Sequence, residues 1–133
     1  MEHLNLSIIE KFFKGYSNHD LRELQQVLAE DVKWVFPGQN LLSGTKIGIK
    51  EVILFFDKMG EIMGKSKAQM KKLVMGVNDD YVLECQHICT NREEGPNFDQ
   101  DMCVLWIFKD GKIIEGKHFT SSQVEVDIFF NML

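Results

Sequence analysis

The sequence predicts an α+β domain in which helices come first and an antiparallel sheet follows. Three observations carry this. Up to Met59, with one strand interposed, apolar side chains recur at the three- and four-residue steps of a helix. From Ala68 onward the pattern changes to four strand-like runs separated by turn chemistry, including Asp110-Gly111, the strongest short hairpin signal in the chain. The stretch 102–108 is apolar at every position, whereas a one-sided antiparallel sheet alternates apolar with polar, so something covers both of its faces.

Each element has its own signal. Leu6, Ile9, Phe12, Phe13 and Tyr16 share one face of a first helix, which Asn18-His19-Asp20 breaks. Leu21, Leu24, Val27 and Leu28 mark a second, shorter helix. Residues 31–36 read as a strand stopped by Pro37-Gly38. A polar loop through Ser43-Gly44 then leads to a third helix, which buries Ile49, Val52, Ile53, Phe56 and Met59 and ends at Gly60 and Gly64. Strands follow at 68–77, 81–91, 99–109 and 112–120, and 124–133 is amphipathic, a short helix or a tail. No repeat, linker or low-complexity stretch divides the chain, so 1–133 reads as a single domain.

Composition narrows the function classes. At 133 residues, 44% hydrophobic and 26% charged, the chain has the balance of a globular protein that buries a core. The net charge of −5 is spread thinly. The nearest thing to a basic patch is 65–72, four lysines interleaved with Ser66, Ala68 and Met70, which reads as a solvated strand entrance rather than a nucleic-acid surface. No run of 18 apolar residues occurs, and the N-terminus carries Glu2 and Glu10 with no small-residue cleavage site. A cytoplasmic protein with no membrane or nucleic-acid partner is expected. Cys85, Cys89 and Cys103 lie inside apolar runs and read as buried free thiols of a reducing compartment.

The order helix, helix, strand with Trp34-Val35-Phe36-Pro37-Gly38, then Gly44 and Gly48 opening a third helix, resembles the nuclear transport factor 2-like (NTF2-like) superfamily. The run His87-Ile88-Cys89-Thr90-Asn91-Arg92, a Gly turn, a long strand and Phe108-Lys109-Asp110-Gly111-Lys112-Ile113 are similar to its SnoaL-like, polyketide-cyclase-like branch. So is the tail Asp127-Ile128-Phe129-Phe130. The resemblance covers nearly the whole chain, through fold-making rather than catalytic motifs. It implies a cone-shaped, cystatin-like α+β fold, with three N-terminal helices on a curved mixed or antiparallel sheet, a pocket within, and a homodimer formed through the outer sheet face.

That superfamily hosts ketosteroid isomerases, polyketide cyclases, epoxide hydrolases and non-catalytic binding or transport proteins, so fold alone does not decide function. The isomerases use a carboxylate base with a tyrosine and a protonated aspartic acid. The resemblance places Phe12, Phe36 and Val104 at those positions, and three apolar side chains neither abstract a proton nor donate to an enolate. Where the cyclases have an aspartate, this chain has Thr120-Ser121-Ser122, and a hydroxyl is not a general acid at neutral pH. The Asp-Arg-Asp set of the hydrolases is not identifiable, because Arg92, Asp99 and Asp101 cluster around a hairpin.

His118 is the foremost candidate for chemistry. With period two, Gly116, His118 and Thr120 share the face that lines the pocket in the resembled fold, and Gly116 would leave room beside the ring. The same ring could instead be a hydrogen-bonded part of the wall or interface. Tyr16, one helical turn after Phe12, could donate its hydroxyl to a ligand or sit as a core aromatic with that hydroxyl at the rim. Glu84 and Gln86 face opposite to Cys85 and His87, and which pair points inward stays open. Cys85, His87 and Cys89 would stand roughly 7 Å apart along one strand face, two residues of about 3.3 Å each. Collinear donors at that spacing do not converge on a zinc ion, so no metal is expected.

Trp34, Phe36, Phe55, Phe56, Met59, Met63, Trp106 and Phe108 supply apolar lining or plain core. The leading expectation is binding of a small, mainly apolar molecule without a cofactor, against Phe12, Tyr16, Trp34, Phe36, Phe55, Met59, Val104, Trp106, His118 and Thr120. The alternatives are a cofactor-independent isomerase, cyclase or hydrolase using His118 with Tyr16, and a non-catalytic interaction module.

Overall fold

The structure is a computed structural model that describes residues 3–132. Glu2 and Leu133, which enter the readings of the two ends, lie outside the described residues. The elements run α1 (Leu4–Ser17), α2 (Leu21–Val27), β1 (Leu28–Phe36), β2 (Gly44–Ile47), α3 (Ile49–Lys65), β3 (Gln69–Val77), β4 (Tyr81–Cys89), β5 (Asp99–Lys109), β6 (Lys112–Thr120) and α4 (Gln123–Asn131). The architecture is the α+β one expected, with six strands in one mixed sheet ordered β2-β1-β6-β5-β4-β3. β1 runs parallel to β6, and every other neighbouring pair is antiparallel.

Register shifts interrupt the ladders between Leu28 and Lys33, Lys72 and Val74, and Ile107 and Phe108. Each extra residue bends its strand and increases the local twist, which curves the sheet around the helices. The β5–β6 hairpin turns through Asp110 at φ 54° and Gly111 at φ 77°, the left-handed pair that matches the twist of its strands. α2 is capped by Asp20, whose carboxylate accepts from the Glu23 N–H at 3.2 Å.

Three boundaries differ from the sequence reading, and the amphipathic end, read there as a short helix or a tail, takes the first form. The supposed polar loop contains β2, four residues too short to show a period. Leu28 opens β1 instead of closing α2, because its side chain enters the sheet core, fully buried. α3 does not stop at Gly60 and runs to Lys65. Neither Gly60 nor Gly64 meets an atom where a Cβ would stand. Each costs the helix up to about 1 kcal/mol relative to Ala. Burial of Ile62 offsets that, and Ser66, donating from N and Oγ to the Ile62 carbonyl, closes the last turn. Finally, the amphipathic end is a helix, α4, because Val126, Phe129 and Phe130 pack fully buried into the core.

Cross-strand pairing resolves which residues share the inner face. One row is Trp34–Gly116–Trp106–Val82–Val77, the next His118–Val104–Glu84–Met75, and the third Thr120–Met102–Gln86–Lys72. Cys85, His87 and Cys89 therefore point outward with Cys103, Leu105, Ile107 and Phe119. The expectation of buried thiols is corrected here: all three cysteines are half-buried on the outer face, and Cys85 and Cys103 stand directly opposite one another, Sγ to Sγ at 2.8 Å. β5 is apolar on both sides because its inner residues Met102, Trp106 and Phe108 are buried by the helices while its outer ones stay half-exposed.

Candidate binding site

The concave face is lined mainly by aromatic rings. Phe12, Trp34, Phe36, Phe55 and Trp106 are each at most 3% exposed. Trp34 meets Trp106 and Phe56 edge-on at 5.0 and 4.9 Å between centroids, and Phe12 meets Trp106 at 5.8 Å. These contacts join α1, α3, β1 and β5 through the edge-to-face geometry that aromatic quadrupoles favour. Five of the sequence-nominated side chains are thus brought together. Met59 and Val104 pack at the margin of the same cluster.

His118 lies within it, its ring 5.1 Å from Phe36, 5.7 Å from Phe55 and 5.8 Å from Trp34. Its Nε2 accepts a hydrogen bond from the Trp34 indole N–H at 2.9 Å. The residue as a whole keeps some accessible surface. Burial of the ring among its aromatic neighbours nevertheless pushes its pKa down to about 4, and the nearby Lys46 charge adds to the shift. The imidazole is therefore neutral near pH 7. With Nε2 accepting, that hydrogen bond assigns the proton to Nδ1.

The expected free space beside the ring is not there. A Cβ on Gly116 would stand 2.2 Å from Trp34 Cζ3, so the glycine admits the indole rather than a ligand. Two more candidates direct their hydroxyls elsewhere, although the Tyr16 ring itself packs on Phe12 and Phe56. Tyr16 donates its hydroxyl to Asp57 Oδ1 at 2.6 Å, tying α1 to α3, and burial with the Asp57 bond pushes its pKa up to about 12. Thr120 donates to Gln123 Oε1 at 2.8 Å and so serves the entrance to α4. Arg92 and the two hairpin aspartates are also occupied elsewhere. Arg92 donates to Ser66 Oγ and to the carbonyls of Pro96 and Phe129, while Asp99 and Asp101 both hold His87 on the outer face.

Two charged residues that the sequence reading left unassigned belong to the inner face. Lys46 stands opposite Trp34 on β2, with Nζ 5.4 Å from the Phe55 centroid, and burial lowers its pKa against the opposing pull of Glu51. Its position was illegible while β2 read as a loop. Glu84 lies two strands across from His118, with Val104 between them. It borders a cleft of about 510 Å³ between α1 and the β3–β4 pair, whose apolar lining is Leu6, Ile9, Phe13 and Met75 and whose charged lining is Glu10, Lys72 and Glu84.

Burial raises the Glu84 pKa above the usual carboxylate range, against Lys72 and the Trp106 N–H, which favour the charged form. Gln86 donates to its Oε2 at 3.3 Å. The Trp106 ring is 2% exposed, and its N–H is directed at Glu84 but reaches no acceptor in hydrogen-bonding geometry among the described residues. The sequence signal for Glu84, a carboxylate mid-strand among apolar residues, was present; only its direction was missing.

Comparison with known proteins places this geometry in context. Residues 9–116 match the family model of the SnoaL-like domain. An uncharacterised protein of Mycobacterium tuberculosis is 22% identical over 126 residues, which cover 95% of either chain. Among solved structures, Bal32a from a soil-derived mobile gene cassette superposes with a TM-score of 0.76 at 21% identity, over 96% of this chain and 97% of that one. An NTF2-like protein of Burkholderia xenovorans gives 0.76 at 19% identity, covering 96% of each chain. At these identities the likeness establishes the fold, which is NTF2-like.

Proposed function

The chain belongs to the SnoaL-like domain family, and from that premise we propose that it binds a small, mainly apolar molecule through the cleft between α1 and β3–β4, against the concave face of the sheet. The observation that carries this reading is the pair formed by Glu84, a desolvated carboxylate that borders the largely apolar cleft, and the buried Trp106 indole N–H directed at it. A core retained only for stability has little use for such a pair, whereas binding sites combine apolar walls with a few fixed polar groups.

Catalysis through His118 has less support. Its Nε2 is taken by Trp34, and with a pKa of about 4 it holds no proton to give as a general acid at neutral pH. Phe12 and Phe36 are buried in the aromatic cluster, and Val104 separates His118 from Glu84, which leaves the isomerase constellation without its acid and base. The proposed activity is therefore binding without a cofactor.

Fluorescence titration with N-phenyl-1-naphthylamine, a neutral apolar probe, tests the reading. Saturable binding of one probe per chain is expected, with quenching of tryptophan emission. Phe13→Arg, which fills the cleft, should abolish it. Absence of saturable binding overturns the proposal.

Pairing of two copies through the outer face is a second, compatible reading. Val74, Tyr81, Leu83 and Phe119 are exposed there, 39–59% accessible, beside the half-buried Cys85, Cys103, Leu105 and Ile107. An apolar surface of that continuity is the kind that homodimers cover.

A further inference from the structure

We infer that Cys85 and Cys103 are a reversible modification site, at which a low-molecular-weight disulfide oxidises the two thiols to a disulfide within one chain. The site lies on the outer face of the sheet and does not depend on the binding reading above.

Three observations carry it. The first is register. Cys85 and Cys103 are direct partners in the antiparallel β4–β5 ladder, and their sulfurs stand 2.8 Å apart. Residues so opposed have Cβ atoms about 4.5–5.5 Å apart, against about 3.5–4.5 Å in a disulfide, so the bond closes with a shift of about 1 Å. The second is access. Both side chains are half-buried, and the residues that flank them in the same row, Val74 and Phe119, are 59% and 51% exposed. A small reagent therefore reaches the sulfurs. The third is the sense of the contact. The Cys103 thiol donates to Cys85 Sγ, and burial together with that bond pushes the Cys103 pKa up to about 11. Cys103 thus keeps its proton, and the S–H it donates favours negative charge on Cys85, which is the attacking sulfur. Cys89 has no such partner. It pairs with Gln69 and Asp99, and four residues of strand put it about 13 Å from Cys85, beyond the roughly 7 Å between Cα atoms that a disulfide spans.

The exchange balances in two steps. The Cys85 thiolate attacks one sulfur of the small disulfide, forming a mixed disulfide and expelling one reagent thiolate, which takes up a proton. Cys103 then gives up its proton and attacks Cys85 Sγ, expelling the second reagent thiolate. Two protein thiols are oxidised, the reagent is reduced to two thiols, and the two cysteine protons end on them. Excess thiol drives the same steps backward.

The test treats the reduced full chain with oxidised glutathione at submicromolar concentration, where no second copy covers the outer face, followed by alkylation and peptide mapping by mass spectrometry. The expected product has lost two hydrogens, carries no retained glutathione, joins Cys85 to Cys103, leaves Cys89 open to alkylation, and reverts in dithiothreitol. In Cys103→Ser a glutathione adduct should accumulate on Cys85, since nothing is left to resolve it. In Cys85→Ser the remaining Cys103 should react at least about tenfold more slowly than Cys85 does in Cys103→Ser. Linkage through Cys89, linkage between two chains, a stable adduct on the unsubstituted chain, or no loss of thiols overturns the proposal. Each is read on the unsubstituted chain, so the folding of the variants does not decide it. Equal rates in the two variants overturn the assignment of Cys85 as the attacking sulfur.

Discussion

Trp34 and His118, 84 residues apart in the chain, are joined by an indole N–H that donates to an imidazole Nε2 at 2.9 Å inside the aromatic cluster. The bond links β1 to β6, the single parallel pair in the sheet. It also makes His118 a structural acceptor, the hydrogen-bonded wall residue that the sequence reading had weighed against a ligand-contacting role. Replacing it should therefore be felt in stability. His118→Ala strips the Trp34 N–H of its partner and opens a cavity, and a loss of about 2–4 kcal/mol is expected by urea denaturation at pH 7. An unchanged midpoint would show the bond to be dispensable.

The same residue sets a pH dependence. Its folded pKa, about 4, lies below the unfolded value of 6.5, so the unfolded chain takes up the proton first. Stability from this group is full above pH 6.5, falls as the pH drops through the window from 6.5 to about 4, and levels off below. By linkage the loss reaches up to about 3 kcal/mol. Between pH 7 and pH 5 the unsubstituted protein should lose about 2 kcal/mol more stability than His118→Ala. Parallel behaviour of the two would rule out His118 as the source.

Gly116 holds its place by close approach to Trp34, with ordinary strand dihedrals. An added methyl would meet three indole carbons at 2.2–2.5 Å. Gly116→Ala should displace the indole, lower stability by about 1–3 kcal/mol, and alter the near-ultraviolet circular dichroism of the tryptophans. A native-like spectrum together with native stability would show that the cluster can repack around the methyl.

Glu84 should behave in the opposite sense. Its raised folded pKa means that ionising it costs more in the folded state, so its contribution falls as pH rises through its titration. Glu84→Leu is expected to raise stability at pH 7 by about 1 kcal/mol, the gain typical of relieving a site held for function. Destabilisation by the leucine would indicate that the carboxylate supports the fold.

On the outer face, Phe119 is 51% exposed and stands opposite Cys103. If two copies pair there, the unsubstituted protein sediments as a dimer at micromolar concentration and Phe119→Asp sediments as a folded monomer. A monomer in both cases removes the pairing proposal.

Much of the fold was decided by local chemistry that can be read along the chain. The three-and-four spacing of Leu6, Ile9, Phe12 and Tyr16, the Asp110-Gly111 turn and the unbroken apolar run of β5 each follow from a period or a backbone preference, and each appears where it was expected. The family resemblance held for the same reason, since it rested on these fold-making positions. What the chain alone could not decide was direction and company. Period two says that Glu84 and Cys85 face opposite ways, yet only pairing with Val104 and Cys103 turns the carboxylate inward and the thiol outward. β2 is too short to carry a period, so Lys46 gained its inner position only through register with Trp34. Gly116 read as open space because a missing side chain looks the same whether a ligand or an indole fills it. The partner of the Trp34 N–H lies 84 residues away, and no local rule reaches that far. Tertiary pairing decides these matters, because a side chain's chemistry depends on what burial puts beside it.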